Sequence, residues 1–341
     1  KFSYGARANL YGMRGAPVYN PYFQQRYNFP NTETYKGRLL IEPRASFDWR
    51  PESRLDIRGG AGIFSGGSPD IYLSNSYSNT ITTNSITFQR SAQGANTCTN
   101  AVPDAVCQAA LNNVSGQIPT LVSQYAGSAT NAAVLARTNT GAIDPNFRLP
   151  SSLKATLSAD YTLFGIRLGA SYYYSKVVDG IFFQDARSTI VGTLPDGRPR
   201  YSGLIAFNDA NYDILVRNTG QGRSHIGVFT VSKEFDSGLS LWGSYTRQDV
   251  KDVSNATSST INSNYRNQIF SDPNVPAYGI SGNQIKWSFK YSVGYDHAFF
   301  GDYKTRIQLF GETRAGLPYS YTMLDQTTTR SPVFGTNLTS S

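Results

Sequence analysis

The stretch Trp287–Tyr295, WSFKYSVGY, decides how the rest of the chain is read. Trp287, Phe289, Tyr291, Val293 and Tyr295 alternate with Ser288, Lys290, Ser292 and Gly294. Successive side chains of a strand point to opposite faces, so this alternation predicts a strand with one apolar and one polar side. The next segment repeats it: Tyr303, Thr305, Ile307 and Leu309 against Lys304, Arg306, Gln308 and Glu312, with Phe310 as the exception. Upstream, Leu39, Ile41, Ala45, Phe47 and Trp49 alternate with Glu42, Arg44, Ser46, Asp48 and Arg50. Leu55–Ile63, Leu153–Tyr161 and Ile166–Ser175 do the same, and weaker copies run through Phe2–Leu10, Ser224–Glu234 and Leu239–Asp249.

These are about nine segments of roughly 10–13 residues, against a mode of about 5–6 for globular strands. About ten residues suit a tilted crossing of a bilayer. The connections carry a second signal. Pro51–Ser53, Phe164–Gly165, Asp236–Gly238 and His297–Gly301 read as short turns, whereas Tyr11–Gly37, Ser65–Pro150, Val178–Arg223 and Val250–Gln284 are long. Short and long alternate along the chain, as in a transmembrane β-barrel with tight periplasmic turns and long outer loops. Trp49, Tyr161, Phe164, Phe235, Tyr295, Phe299, Phe300 and Tyr303 cluster beside the short turns, where aromatic rings sit at a lipid–water interface. In lipid every backbone N–H and C=O needs a partner within the protein, and a closed sheet supplies it. A soluble β-sandwich also alternates, but it does not account for long strands with regular loop asymmetry.

Composition agrees with an all-β chain. Charged residues are 16%, against an ordinary share of about 25%, and the balance is made up by Tyr 23 and Phe 19. So many aromatics argue against disorder. The sparse Met, His, Lys, Glu and Leu argue against a helical soluble enzyme. No apolar run approaches the length of a transmembrane helix. The net charge of +8 is not gathered into any Lys/Arg run, so a nucleic-acid partner is not expected. The chain starts inside a strand-like pattern and ends in the polar run Asn337–Ser341. The expectation is therefore an all-β, antiparallel transmembrane β-barrel, partial, with residues 1–341 forming part of a single barrel and residues 65–150 a long extracellular loop. The closure of the barrel is expected to lie outside this chain.

Several runs resemble TonB-dependent outer-membrane receptors of the Oar-like subgroup. They are Arg38–Arg50 (RLLIEPRASFDWR), Leu55–Gly66 (LDIRGGAGIFSG), Asp144–Tyr174 (DPNFRLPSSLKATLSADYTLFGIRLGASYYY), and Gly316–Tyr321 (GLPYSY) directly after TRIQLFGETRA. Their order and spacing are similar to those of consecutive barrel strands of that family. The resemblance implies a barrel of about 22 strands blocked by an N-terminal plug, which would lie outside this chain. It also implies a TonB complex as energy source, uptake of an unidentified solute, and a cell outer membrane location in a Gram-negative bacterium. Outer-membrane lipid, lipopolysaccharide and the plug domain of the same protein would be the partners. A passive channel or a surface adhesion barrel without energy coupling is the alternative.

The polar faces carry Glu42, Arg44, Asp48, Arg58, Arg167, Lys290, Arg306 and Glu312, expected to meet the lumen or the plug, or to form a hydrated wall of cross-strand ion pairs. Tyr72, Tyr77, Phe182, Phe183, Tyr201, Tyr265 and Tyr278 fall in the long loops. There they would stack on a substrate ring or pack loop against loop. Ile71–Phe88 has strand-like composition and is expected to extend a hairpin. Asp104–Val114 and Thr120–Arg137 are Ala-rich and are expected to hold short helices, the first pinned by a Cys98–Cys107 disulfide; two free thiols are the other reading. No catalytic residue, cofactor or metal site is expected: His225 and His297 (one in a strand, one in a turn) lie near no nucleophile motif, and two His with two Cys lack zinc spacing. Asp249, Asp252 and Asp272 are loop acids of a type that binds calcium, but no motif supports a site there.

Overall fold

The computed structural model describes residues 1–79, 104–113, 117–128, 139–202, 212–253, 256–266 and 270–321. Its strands are β1 (Phe2–Leu10), β2 (Leu39–Glu52), β3 (Leu55–Ser65), β4 (Thr140–Ile143), β5 (Ser151–Leu163), β6 (Ile166–Asp185) and β7 (Thr189–Thr193). They continue with β8 (Pro199–Ser202), β9 (Asp213–Thr219), β10 (Arg223–Glu234), β11 (Leu239–Asp252), β12 (Gly279–Ile280), β13 (Trp287–Phe300) and β14 (Tyr303–Arg314). The helices are α1 (Pro21–Tyr27), α2 (Asp70–Ser78), α3 (Asp104–Asn112), α4 (Thr120–Ser128) and α5 (Ile261–Arg266).

One antiparallel path, β1-β2-β3-β5-β6-β10-β11-β13-β14, runs through the described residues. Each pair of path neighbours is also consecutive in the meander, and this puts the β1–β2, β3–β5, β6–β10 and β11–β13 connections at one end of the sheet. Those are the long ones. The short β2–β3, β5–β6, β10–β11 and β13–β14 turns lie at the other end. At the β5–β6 turn, Phe164 (φ 51) and Gly165 (φ 74) are both left-handed, as a two-residue hairpin matching strand twist requires. At the β10–β11 turn Gly238 (φ +87) is tighter still: a Cβ there would lie 2.0 Å from the Asp296 carbonyl oxygen.

Directly paired residues of an antiparallel ladder share a face. Register therefore carries one face across the whole sheet. Phe2, Phe47, Gly59, Leu157, Tyr172, Gly227, Arg247 and Trp287 form one row of the apolar side. Arg58, Ser158, Ser171, Val228, Thr246, Ser288 and Arg314 form a row of the other. Phe310, the exception to alternation, pairs with Ser292 and so lies on the polar side. Two glycines on the apolar side are roofed by rings: the Phe47 ring lies over Gly59 and the Tyr291 ring over Gly311, each within 2.7 Å of where a Cβ would stand. An aromatic across the ladder covers backbone that a glycine leaves bare.

The apolar side is not a core. Leu157 is 52% exposed, Tyr291 41%, Ile307 61% and Leu309 66%. Among the described residues, every buried hydrophobic side chain lies instead in the material at the long-connection end. There Tyr35, Tyr72, Leu73, Phe147, Leu149, Phe183, Tyr201, Tyr212, Ile214 and Tyr265 pack into one cluster, with contributions from all four long connections. A β-sheet whose apolar side is bare, with its core gathered at one rim, places its solvent as lipid rather than water. From Trp287 to Tyr295 the apolar band runs about 26 Å along the strand, or roughly 20 Å along the membrane normal at a tilt near 40°.

Three sequence expectations need correction. Ile71–Ser78 is helical, within α2, rather than part of a hairpin; the Asn75 amide reaches the β11–β13 connection, donating to Ser259 O at 2.9 Å and accepting from Ile261 N at 3.3 Å. Residues 80–88 lie outside the described residues. β6 continues as a ladder to Asp185, so Phe182 and Phe183 sit on a strand and pair with Arg217 and Val216 of β9. His297 is on β13 opposite Thr305, not in a turn, because the ladder runs on past a bulge to Phe300. The expected short helices at Asp104–Val114 and Thr120–Arg137 are present as α3 and α4.

Candidate functional site: the inner wall and the cap

The polar side of the sheet is a wall of paired charges. Register places Glu42, Arg44, Asp48, Arg58, Arg167, Lys290, Arg306 and Glu312 all on it. Arg306 Nε and Nη2 grip Asp296 in a fork, both at 2.6 Å. Lys290 Nζ stands 3.7 Å from Glu312 and Arg167 Nη2 3.5 Å from Asp160. Arg58 pairs with Asp56, and Arg50 lies 3.4 Å from Asp48. Most of these groups are exposed and individually worth little; together they make the wall hydrophilic. Glu42 differs. It is 1% exposed. It accepts Ser65 N–H at 2.6 Å and Asn9 Nδ2 at 3.0 Å. Arg44 and Arg7 flank it at 3.5 and 3.7 Å. Beside it the Arg44 guanidinium lies 4.4 Å from the centre of the Phe64 ring and Lys154 Nζ 5.9 Å. Ser3, Gly5, Ser46, Gly60 and Thr156 then leave a shallow hollow of about 440 Å³ in the wall, edged by those two cations.

The cap is organised by groups far apart in sequence. Asp213 of β9 is fully buried. Its Oδ2 accepts from Tyr27 Oη at 2.6 Å, Arg26 Nη2 at 2.9 Å and Arg187 Nε at 3.3 Å. Asp185 in turn accepts the backbone N–H groups of Asp213 and Arg187 at 3.0 and 3.1 Å. Asn274 Oδ1 takes the Asp185 N–H at 2.9 Å. Three long connections thus meet at one buried ionic knot. Burial, then the neighbouring Asp213 carboxylate, pushes the Tyr27 phenol well above its ordinary range. Tyr35 and Tyr201 are raised too, again first by burial. At the exposed β7–β8 hairpin, the Arg198 backbone N–H holds Asp196 below the usual carboxylate range.

Most of the loop aromatics expected to face a substrate are packed into the cap. Tyr72 and Phe183 meet edge to face at 5.0 Å, and Tyr265 meets Tyr212 at 5.8 Å. The Tyr201 hydroxyl donates to Asp272 Oδ1 at 2.8 Å, which also gives Asp272 a structural partner. Phe182 is 6% exposed. Tyr77 donates to Gly15 O at 3.2 Å. Tyr278 alone of the seven is open to solvent, at 41%. Cys107 is buried and disulfide-bonded; Cys98 lies outside the described residues. Among the described residues no three His, Cys, Asp or Glu side chains gather as a metal site. Arg26, Arg187, Asp185 and Asp213 drew no attention in the sequence, since partners 187 residues apart leave no local pattern.

A membrane-spanning antiparallel sheet with lipid on one side, a charged wall on the other and a folded rim defines an outer-membrane barrel. The Outer membrane beta barrel domain family matches residues 9–310, and the chain belongs to it. Its place is accordingly the outer membrane of a Gram-negative cell. No curated protein matches. Among solved structures, the FrpB iron transporter from Neisseria meningitidis aligns with 82% of this chain and 29% of its own, at 9% identity and a TM-score of 0.36. A ferric enterobactin receptor (PfeA) mutant from Pseudomonas aeruginosa aligns with 75% of this chain and 26% of its own, at 10% identity and 0.38. The Pseudomonas putida toluene transporter TodX aligns with 92% and 65%, at 15% identity and 0.25. Likeness at these scores carries no argument about solute or mechanism. The chain spans less than a third of the iron transporter and the enterobactin receptor.

Proposed function

We propose that this chain is part of the barrel of a TonB-dependent outer-membrane receptor of the Oar-like subgroup, with its long connections on the extracellular side. The observation that carries the reading is the cap. Four long connections give up their own freedom to build one buried cluster at a single rim. A plain pore needs no such construction, whereas a receptor must present an ordered mouth to a solute. The runs Arg38–Arg50 and Asp144–Tyr174, which carry the resemblance, meet at this rim: Arg38 Nη2 donates to Pro145 O at 3.3 Å, and just upstream of the first run Tyr35 stacks on Phe147 at 5.8 Å. On this reading the charged inner wall, Glu42 to Glu312, faces a plug, and Tyr278 with the outer cap surface faces the solute.

The test uses the full-length protein from outer membranes. In a planar bilayer a plugged receptor gives no steady conductance, and the immobilised protein captures the periplasmic part of TonB. Steady ohmic conductance together with no capture would select the passive channel instead.

A further inference from the structure

Among the described residues, charge on the lipid-facing side is confined to two places. At the short-turn end stands Lys233, over the Phe235 ring at 4.8 Å. The other place is a patch at the long-connection end of β6, β10 and β11. There Lys176 pairs with Arg223, and Arg223 with Lys251, so three cations stand side by side in one cross-strand row. Neighbouring strands are about 4.8 Å apart, so the row spans roughly 10 Å. Arg247, two rows nearer the membrane centre, adds a fourth cation on the same face. Among the described residues the one carboxylate on this face of the patch is Asp249, opposite His225. On the inner wall Arg7, Arg58, Lys290 and Arg306 each face a carboxylate across the ladder, whereas Lys176, Arg223, Arg247 and Lys251 do not. Lys176, Arg223 and Arg247 are exposed.

Beneath the row, Tyr172 Oη and His225 Nδ1 are 2.6 Å apart and the Tyr174 ring lies 5.1 Å from that of His225. These polar-tipped rings mark the level where lipid gives way to headgroup. Gly227, between Tyr172 and Arg247, leaves open space where a side chain would stand. The remaining upper rim is different: Leu10 and Leu39, paired across β1 and β2, are apolar and exposed. The patch is therefore local, not a belt.

We infer that Lys176, Arg223 and Lys251, backed by Arg247, bind the phosphoryl groups of a phosphorylated glycolipid in the outer leaflet. Like charges set directly opposite on a ladder repel; a phosphate offsets this repulsion at headgroup depth, and the Gly227 notch receives the lipid's upper chain. The inference rests on the orientation proposed above.

Native mass spectrometry of the detergent-purified full-length protein, titrated with diphosphorylated lipid A, reads the site. The expected result is a lipid adduct that weakens at least ten-fold in K176Q/R223Q/K251Q and is unchanged in K233Q. Dephosphorylated lipid A should bind wild type no better than it binds the triple variant. Millimolar inorganic phosphate should not displace the lipid; displacement would point to a free-phosphate site and overturn the proposal. Equal binding by a triple variant that retains heat-modifiable migration, and so is folded, would also overturn it. Orientation is checked separately by labelling G197C in intact cells with a membrane-impermeant maleimide. A protected G197C removes the receptor orientation whatever the lipid result, whereas a labelled G197C with no lipid adduct removes only the site.

Discussion

At Tyr291 and Ser292 adjacent side chains meet different solvents. Tyr291 covers Gly311 on the lipid side; Ser292 accepts a hydrogen bond from Gln308 Nε2 at 2.8 Å on the wall. Tyr291→Arg is expected to cost about 2–4 kcal/mol of membrane stability, and Ser292→Arg much less. Heat-modifiable gel migration after urea titration checks this; equal midpoints for the two variants would show that neither side meets lipid. Asp213 makes a different residue-scale case. Asp213→Asn leaves Arg26 and Arg187 without their shared anion in a buried place, a loss of about 3–5 kcal/mol. The loss belongs to the cap, not the sheet. Limited proteolysis should cut the variant within the long connections while the folded barrel band persists.

At the element scale the β10–β11 turn and the cap respond to different insults. Gly238→Val forces a side chain against the Asp296 backbone and into a left-handed conformation. The expected result is slowed assembly, read as a larger unfolded fraction in pulse-labelled outer membranes. The cap answers to alkali. Tyr27, Tyr35 and Tyr201 all ionise above their ordinary range. An opened cap releases these phenols to ionise near pH 10. Cap stability is therefore intact below about pH 10 and falls as pH rises toward the raised folded values. Phenolate absorbance should increase together with protease sensitivity of the connections above pH 10, with strand circular dichroism unchanged. A phenolate titration centred at pH 10 with no change in protease sensitivity would count against the buried packing of these rings.

For the whole molecule, the meander alternates its connections between two rims, and length follows the rim. Protease added to intact cells should reach the long-connection rim, whose exposed β7–β8 hairpin includes Ile190 and Val191, and spare the short turns, which are cut only after the outer membrane is permeabilised. The reverse pattern would invert the orientation on which the proposed receptor role depends.

What could be read directly was the repeating part. Period-2 alternation from Phe2 to Arg314, the Phe164–Gly165 turn and the sorting of Glu42, Arg44, Lys290 and Arg306 onto one side follow from local chain geometry, because a strand decides each side chain's face with no knowledge of its neighbours. The cap was not legible. Strand-like residues at Ile71–Ser78 coil into a helix, and Tyr72, Phe183 and Tyr265 turn inward rather than toward a solute, because partners from distant connections offer them burial. Arg26, Arg187 and Asp213 find one another across most of the chain, and Lys176, Arg223 and Lys251 line up only once three strands set their register. Sequence alone therefore determined which faces meet lipid and which meet the wall, a choice made two residues at a time. Tertiary structure alone decided what stands at the mouth, since that choice belongs to contacts between segments the chain keeps far apart.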